Sequence, residues 1–449
     1  MNKIYIETMG CPKNQEDSER AGGMLTDDDF IIVQNPEDAD FIIINTCGFI
    51  DDAKRESINR ILELAEYKEN DSDKALVVTG CLSQRYKEEL FEELTEVDIM
   101  IGVNDYVDLP QILKSYAENA KNVANERVLH VEGRPGLLEG KRVNLHNTHY
   151  SYLKIAEGCS NACTYCAIPR IRGAFRSVPM ADVVAEATYL AASGTKELIL
   201  IAQDVSAYGY DIYSEYRLHE LLEKLNAIEG IRWIRLMYCY EERITDELIH
   251  AMATLDKVVP YIDIPLQHVS DHVLNGMNRR STHQSISKTI HKLRAAMPDI
   301  AIRTTFITGF PGETEEDFDI LYDFINEVRF ERLGVFSYSK EEGTPAASMH
   351  HQVDIEVADQ RKDSIMLAQI EISREHNEDF VGRELEVIVD EIEEGAYVGR
   401  TKYDAPEIDE AIVFTSSAKL AVGDILMVCV TDAMDYDLVG VNVTDMIDA

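Results

Sequence analysis

The stretch IAEGCSNACTYCAIPR, residues 155–170, places Cys159, Cys163 and Cys166 close together in a chain of 449 residues with only eight cysteines. So few cysteines cannot form a disulfide framework, and clustered thiols in a reducing compartment more often hold metal or take part in catalysis. A structural zinc site and an electron-carrying [4Fe–4S] cluster each need four ligands. Three thiols leave one coordination position open, which is typical of a catalytic metal site.

The segments on either side of this loop alternate between short apolar runs and amphipathic helices. The candidate strands are YSYLKIAEG, ELILIAQD, RWIRLMYC, YIDIPLQ, AIRTTFITG and LGVFSYS. Six such β/α units predict a partial parallel barrel, a fold whose chemistry lies at the carboxyl ends of its strands. The three-cysteine loop follows the first of these strands, so we expect it at that face.

Three apolar runs in the N-terminal part of the chain also end in cysteine. They are KIYIETMGC, DFIIINTC and KALVVTGC, and a helical segment separates the second from the third. This alternation predicts a parallel α/β sheet. Because ligands bind along the carboxyl edge of such a sheet, we expect Cys11, Cys47 and Cys81 to converge there.

From Gly382 onward, short alternating runs separated by Gly, Asp and Pro predict a small antiparallel β-barrel. The fold class is therefore α/β, and the predicted domains are 1–130, 145–375 and 380–449. The N-terminus has no secretory pattern, and no apolar run reaches the length of a membrane-spanning helix. We interpret the chain as a cytoplasmic protein without a membrane partner.

The chain is strongly acidic, with 82 Asp and Glu residues against 43 Lys and Arg residues and a formal net charge of −39. From Gly382 to the end there are 16 acidic and 4 basic residues, a net charge of −12. Such a surface repels nucleic acid and attracts cationic partners. The composition argues against direct RNA binding and favours a basic protein partner.

The CxxxCxxC loop resembles that of the radical S-adenosylmethionine enzymes, and the three parts together resemble the methylthiotransferases of that family, whose last domain is called TRAM. The resemblance implies one [4Fe–4S] cluster on Cys159, Cys163 and Cys166 and a second on Cys11, Cys47 and Cys81. S-adenosyl-L-methionine would act as methyl donor and as radical source, and the reaction would insert a methylthio group into a C–H bond.

Two further positions carry a cofactor role by the same resemblance. Tyr165 stands before the last cysteine, where the family has an aromatic residue near the adenine. Glu197 in GTKE resembles the end of the methionine-contacting GGE motif, although Thr195 replaces the second glycine. We assign no catalytic residue beyond the cluster ligands.

The substrate divides this family. One branch modifies an adenosine beside the transfer RNA anticodon, and another modifies the β-carbon of an aspartate in small-subunit ribosomal protein twelve. GCPKN at 10–14, DIPLQH at 263–268 and GRTKYDAPEID at 399–409 resemble the ribosomal-protein branch. The resemblance implies a basic ribosomal protein as substrate, a reductant such as flavodoxin or ferredoxin, and a sulfur donor.

Other interpretations remain open. The chain could be a transfer RNA adenosine methylthiotransferase, a non-catalytic iron–sulfur electron-transfer or scaffold protein, or a zinc protein whose site is completed by His146 and His149. RIRGAFRS, residues 170–177, is either a binding site for a cofactor or substrate carboxylate or a solvated basic turn. His268 either touches substrate or cofactor or is a packed histidine, and we interpret Cys239 and Cys429 as packing residues.

Overall fold

A computed structural model of the chain describes every residue except 70–73, 121–125, 139, 146–148 and 448–449. The chain forms two compact units. The first comprises Met1–Asn147, Ala156–Val178 and Glu341–Thr344, and the second comprises Thr148–Ile155, Pro179–Lys340 and Pro345–Ala449. The three-cysteine loop therefore belongs to the same unit as the N-terminal sheet. The predicted domain boundaries at 130, 145, 375 and 380 stay a prediction.

The first unit is built on a parallel sheet of six strands in the order β2-β1-β3-β4-β5-β6. The strands are β1 Lys3–Thr8, β2 Ile31–Ile32, β3 Phe41–Thr46, β4 Ala75–Gly80, β5 Ile99–Ile101 and β6 Val128–His130. The helices are α1 Pro12–Asp27, α2 Asp51–Glu69, α3 Cys81–Glu93 and α4 Leu109–Ala120.

The two faces of this sheet are covered by different helices. Strand β3 is buried along its whole length, as expected for a central strand of a parallel sheet. Because side chains alternate along a strand, Phe41 and Ile43 pack in the core that contains Leu25 of α1, whereas Ile42 and Ile44 pack in the core with α2 and α3. In the observed strand order β1, β3 and β4 are adjacent, so their carboxyl ends are neighbours.

Strand β7, Tyr150–Lys154, begins the second unit, after which the chain returns to the first. There the strands β8, Ala156–Glu157, and β9, Arg176–Ser177, form an antiparallel pair. Between them lie the cysteine loop and the short helix α5, Ile168–Arg172.

The central part of the second unit is an open parallel sheet in the order β14-β13-β12-β11-β10-β7. Its strands follow chain order, as in a partial β/α barrel. After β7 they are β10 Glu197–Ile201, β11 Trp233–Leu236, β12 Val258–Asp263, β13 Ala301–Thr308 and β14 Arg332–Ser337. The helices are α6 Met180–Ala192, α7 Tyr210–Tyr213, α8 Leu218–Asn226, α9 Asp246–Thr254, α10 Asp271–Gly276, α11 His283–Ala296, α12 Glu315–Val328 and α13 Ile355–Glu378.

The last part of the second unit is a closed five-stranded barrel in the order β15-β16-β17-β19-β18. Its elements are β15 Glu384–Glu393, β16 Ala396–Thr401, β17 Ile412–Thr415, β18 Ile425–Ala433, β19 Leu438–Asn442 and α14 Val443–Ile447. The pairs are antiparallel except β17 with β19, which is parallel. The predicted α/β class with three such parts is confirmed, and this parallel pair is the one departure from the antiparallel expectation.

The terminal barrel packs at the amino ends of the central strands. Trp233, the first residue of β11, donates from Nε1 to Glu386 at 2.8 Å. Arg332, the first residue of β14, pairs with Asp404 at 2.6 Å. The carboxyl ends of the central strands, where barrels of this kind carry their chemistry, are at the opposite edge. Among the helices of the described residues, none is long and apolar enough to cross a membrane.

Candidate metal centres

Three cysteines follow three neighbouring strands of the first unit. Cys11 caps the start of α1 after β1, Cys47 follows β3 directly, and Cys81 is the first residue of α3 after β4. Gly10 lies so close that an added Cβ would be 3.1 Å from the sulfur of Cys47, and its φ is 89°. The turn after β1 therefore requires glycine, which lets the chain approach the Cys47 thiol closely.

These three thiols interact electrostatically. The pKa of Cys47 is raised to about 12, mainly by burial and in smaller part by the neighbouring Cys11 and Cys81. Burial also raises the pKa of Cys81, with Cys11 acting in the same direction and Arg172 opposing it. Thiols with raised pKa values, such as those of Cys47 and Cys81, are stabilised as thiolates when a cationic metal cluster binds them, because the metal supplies the missing positive charge.

Two asparagines fix the strand ends around these thiols. The side-chain amide of Asn14, in the GCPKN motif, donates to the carbonyl of Met9 at 2.9 Å and to that of Thr46 at 3.1 Å. Asn45 donates in turn to the Asn14 carbonyl at 2.8 Å. Asn14 therefore joins the ends of β1 and β3. We did not identify it from the sequence as a site residue, although it lies in a motif that we singled out.

Arg172 is the charged residue of this site. It is buried, at 2 % exposed, and pairs with Asp17 at 2.9 Å and with Glu157 at 3.1 Å. Its Nη2 donates to Oδ1 of Asn14 at 2.7 Å, and its Nε donates to the sulfur of Cys81 at 3.4 Å. RIRGAFRS is thus more than a solvated turn, because its second arginine is buried against the N-terminal thiols.

The CxxxCxxC loop forms the second set of thiols in the same unit. Cys159 and Cys163 are buried and Cys166 is partly exposed. The pKa of Cys166 is raised to about 12, mainly by burial, with Cys163 and Cys159 acting in the same direction. The Cys159 amide donates to the carbonyl of Gly173 at 3.0 Å, and the Asn161 amide donates to the Cys159 sulfur at 3.4 Å. Backbone donors directed at sulfur stabilise a thiolate.

Both sets fit an iron–sulfur cluster with an open coordination position. Each offers three thiols within interacting range, and all eight cysteines of the chain are free of disulfides. Cys81 packs against Ala167 and Ile171, which follow the CxxxCxxC loop. One small apolar cluster therefore contacts both sets of thiols. The chemistry of the donors favours iron–sulfur over magnesium or calcium, which prefer oxygen ligands.

Glu197 does not lie where its predicted role requires. It is the first residue of β10, at the amino end of the strand, and it is wholly buried. Arg235 donates to its carboxylate at 2.7 Å and Arg400 of the terminal barrel pairs with its other oxygen. Burial raises the pKa of Glu197, but the two guanidiniums outweigh it and hold that pKa below its usual value. This position argues against the predicted methionine contact, since cofactors of such barrels bind at the carboxyl ends of the strands.

The other predicted residues fall in separate places. Tyr165 is partly buried in the CxxxCxxC loop, and its contact with the adenine stays a prediction. His146 lies outside the described residues, and His149 is in the second unit, where its Nε2 lies 2.7 Å from Asp390. Cys239 is wholly buried and Cys429 lies on β18 of the terminal barrel.

His268 follows β12 on the carboxyl side of the central sheet and is wholly buried. Its Nδ1 accepts the amide of Ser270 at 2.9 Å, so the ring proton of the neutral form is on Nε2. That nitrogen lies 4.0 Å from a carboxylate oxygen of Glu313. Burial lowers the pKa of His268 to about 3, which keeps it neutral. The ring is packed and held through Nδ1, whereas Nε2 has no hydrogen-bond partner among the described residues.

Three family models match the chain. The Uncharacterized protein family UPF0004 matches residues 3–102, the Radical SAM superfamily matches 153–325, and the TRAM domain matches 381–443. The last two confirm the predicted radical S-adenosylmethionine barrel and TRAM barrel.

Curated relatives resemble the chain over almost its whole length. The protein named Ribosomal protein uS12 methylthiotransferase RimO of Desulforamulus reducens is 47% identical over 446 residues, which cover 98% of this chain and 99% of the relative. The protein of the same name from Lachnoclostridium phytofermentans is 48% identical over 442 residues, with 98% and 99% covered.

Solved structures share the fold at low identity. The radical S-adenosylmethionine methyltransferase TsrM from Kitasatospora setae, with cobalamin and a [4Fe–4S] cluster bound, aligns with a TM-score of 0.57 at 14% identity over 77% of each chain. The cobalamin-dependent S-adenosylmethionine radical enzyme OxsB aligns with a TM-score of 0.50 at 12% identity over 82% of this chain and 56% of its own.

Proposed function

Because the chain belongs to the family of ribosomal protein uS12 methylthiotransferases, RimO, we propose that it inserts a methylthio group at the β-carbon of an aspartate in uS12. S-adenosyl-L-methionine is both the methyl donor and the source of the radical. The observation that carries this proposal is the pair of three-thiol sets, each of which would leave one iron of a cluster open where an electron carrier would need four thiols.

The residues that would hold the clusters are the six cysteines predicted from the sequence. Cys159, Cys163 and Cys166 would hold the cluster that binds S-adenosyl-L-methionine, and Cys11, Cys47 and Cys81 the cluster linked to sulfur delivery. When bound, these clusters supply the electron for cofactor cleavage and a site for sulfur.

Neighbouring residues shield these cysteines from solvent and orient them. Burial of Cys81, Cys159 and Cys163 excludes water from the sulfurs, and the Asn161 and Arg172 N–H groups direct donors at two of them. Such outer contacts orient ligands and tune a metal site. Tyr165 remains the residue that we propose beside the adenine, and we assign Glu197 a structural role between the central sheet and the terminal barrel.

The acidic chain suits a basic ribosomal protein as substrate. Complementary charge of this kind steers and orients a partner more than it tightens binding. We also propose a reductant such as flavodoxin or ferredoxin, a separate sulfur donor, no direct RNA binding, and a cytoplasmic location, where ribosomal proteins are made.

The test is an anaerobic reconstitution with iron and sulfide, followed by S-adenosyl-L-methionine, reductant and a peptide of uS12 that contains the aspartate. We expect about eight irons per chain for two four-iron clusters. Mass spectrometry should show a methylthio group on the aspartate, lost in Cys163→Ala. The exposed Ser417→Ala keeps both and serves as control.

Three results would contradict the proposal. Cofactor cleavage with an unmodified peptide and a modified transfer RNA adenosine would support the other branch of the family. Bound iron without cofactor cleavage would support an electron-transfer or scaffold protein, and bound zinc without iron would support a zinc-stabilised protein.

A further inference from the structure

One buried cation joins the two thiol sets of the first unit. Arg172 is the last residue of α5, the helix that begins two residues after Cys166. Its side chain reaches the other set, where Nε donates to the sulfur of Cys81 at 3.4 Å. The segment that carries the CxxxCxxC cysteines therefore also supplies a hydrogen-bond donor to a ligand of the second proposed cluster.

The contacts of Arg172 fix its position. Asp17 and Glu157 hold Nη1 at 2.9 and 3.1 Å, and Asn14 accepts from Nη2 at 2.7 Å. A buried guanidinium needs such partners, and these leave Nε directed at sulfur. Asp17, at 2 % exposed, therefore contacts the same guanidinium that donates to Cys81. The sulfur of Cys81 thus has a fixed positive neighbour, and two buried carboxylates, those of Asp17 and Glu157, pair with that cation.

We propose that Arg172 is a positioning residue that raises the reduction potential of the cluster on Cys11, Cys47 and Cys81, and that Asp17 acts in the opposite direction. This inference rests on the proposed function. Reduction adds one electron to the cluster, from its 2+ to its 1+ state, and the negative charge that it adds is stabilised by a nearby guanidinium and by hydrogen bonds to the ligand sulfurs. The negative carboxylate of Asp17 offsets part of the positive charge of the guanidinium.

The test isolates one cluster in the full-length chain. Cys159, Cys163 and Cys166 are replaced by Ala, which leaves only the second cluster, and iron is measured after reconstitution. A redox titration with dithionite as electron donor, followed by electron paramagnetic resonance, then gives the potential. Arg172→Gln, Arg172→Lys and Asp17→Asn are compared in this parent, and Arg170→Gln is the matched control. Arg170 lies on the same helix and is exposed.

We expect Arg172→Gln to lower the ratio of reduced to oxidised cluster at a fixed potential at least tenfold, which is a shift of about 59 mV for a one-electron couple. Asp17→Asn should shift the ratio in the opposite direction, Arg172→Lys should shift it less than Arg172→Gln, and Arg170→Gln should leave it unchanged. A purely structural role would lower iron content without these opposed shifts.

Failure of this inference is separable from failure of the proposed function. A parent that binds about four irons but shows the same potential in Arg172→Gln and Asp17→Asn overturns the inference alone. If Arg172→Gln binds no iron, an unshifted potential in both Asp17→Asn and Arg172→Lys overturns it. A parent that binds no iron overturns the assignment of the second cluster, and the inference with it.

Discussion

At the scale of single residues, the side chain of Asn14 bridges the two strand ends that precede Cys11 and Cys47. Its amide joins the carbonyls of Met9 and Thr46, and its oxygen accepts from Arg172. We predict that Asn14→Ala lowers the free energy of unfolding of the apoprotein by about 1–3 kcal/mol, because buried carbonyls lose their donor. Denaturant unfolding measures this loss, and reconstitution should give less iron per chain.

The control for Asn14 is Asn35→Ala, because Asn35 is exposed and its side chain makes no capping hydrogen bond. It should leave both stability and iron content unchanged. Equal stability of Asn14→Ala and the native chain would show that the amide does not hold the strand ends together.

His268 gives a pH dependence with a defined sign. Its pKa is lowered from 6.5 to about 3, mainly by burial, with Arg361 and His272 acting in the same direction and Asp317 opposing them. Below pH 6.5 His268 becomes protonated in the unfolded chain but stays neutral in the folded chain. Its contribution to stability is therefore lost as the pH falls from 6.5 towards 3. The free energy of unfolding should fall by up to about 1.4 kcal/mol per pH unit in that window.

The measurement compares denaturant unfolding of the native chain and His268→Gln between pH 7 and pH 4.5. The amide oxygen of Gln can still accept from Ser270 but does not titrate, so the slope should be shallower. His250→Gln, at an exposed position, should keep the native slope. Equal slopes in all three proteins would contradict the buried neutral histidine.

The sequence located residues best where position along a strand determined their surroundings. The six cysteines were predicted from the ends of apolar runs and from one short motif, and the structure places the two sets as two groups of interacting thiols. Glu197 was chosen from the letters of GTKE. Its burial between Arg235 and Arg400 depends on a contact with the terminal barrel some 200 residues later in the chain, as the 203-residue separation from Arg400 shows. A contact between residues so far apart in the chain cannot be predicted from the sequence around Glu197.

At the scale of elements, the turn from β4 into α3 determines where Cys81 stands. Gly80 has a φ of 104°, and an added Cβ would lie 2.5 Å from the carbonyl oxygen of Thr46. Because a side chain here is strained and also meets backbone, we predict that Gly80→Ala destabilises the apoprotein by more than the roughly 1 kcal/mol of the conformational term alone. It should also reduce the iron bound after reconstitution.

Gly136→Ala is the control for this turn, because the nearest atom to its added Cβ is 3.8 Å away. Thermal unfolding and iron content are measured for both variants. A midpoint for Gly80→Ala within error of that for Gly136→Ala would show that the β4–α3 turn can accommodate a side chain.

Helices and strands were predictable where the hydrophobic residues recur with a clear periodicity or form a continuous apolar run. The buried runs of β3 and β4 and the six central strands follow from it, since parallel strands are apolar along their length. Two features did not follow. The parallel pairing of β17 with β19 needs a crossover that no local pattern encodes, and the burial of Arg172 needs partners at positions 14, 17 and 81.

At the scale of the whole molecule, charge is the dominant property. The net charge of −39 is shared by all parts of the chain, but the terminal barrel has 16 acidic against 4 basic residues from Gly382 onward. Glu391, Glu393 and Glu394 are exposed at the turn between β15 and β16. Exposed charges at one turn act on a basic partner over about a screening length, which is about 10 Å at 0.1 M salt and about 3 Å at 1 M.

We therefore predict that the KM for a basic uS12 peptide rises with salt, while kcat changes little, because steering acts on encounter and not on the chemical step. Glu391→Gln, Glu393→Gln and Glu394→Gln combined should raise KM at least about threefold at low salt, since each exposed pair contributes about 0.2–1 kcal/mol. The matched control combines Glu88→Gln, Glu89→Gln and Glu92→Gln on exposed positions of α3, which changes the net charge equally. Equal KM values for the two triple variants would mean that total charge, and not the terminal barrel, attracts the substrate.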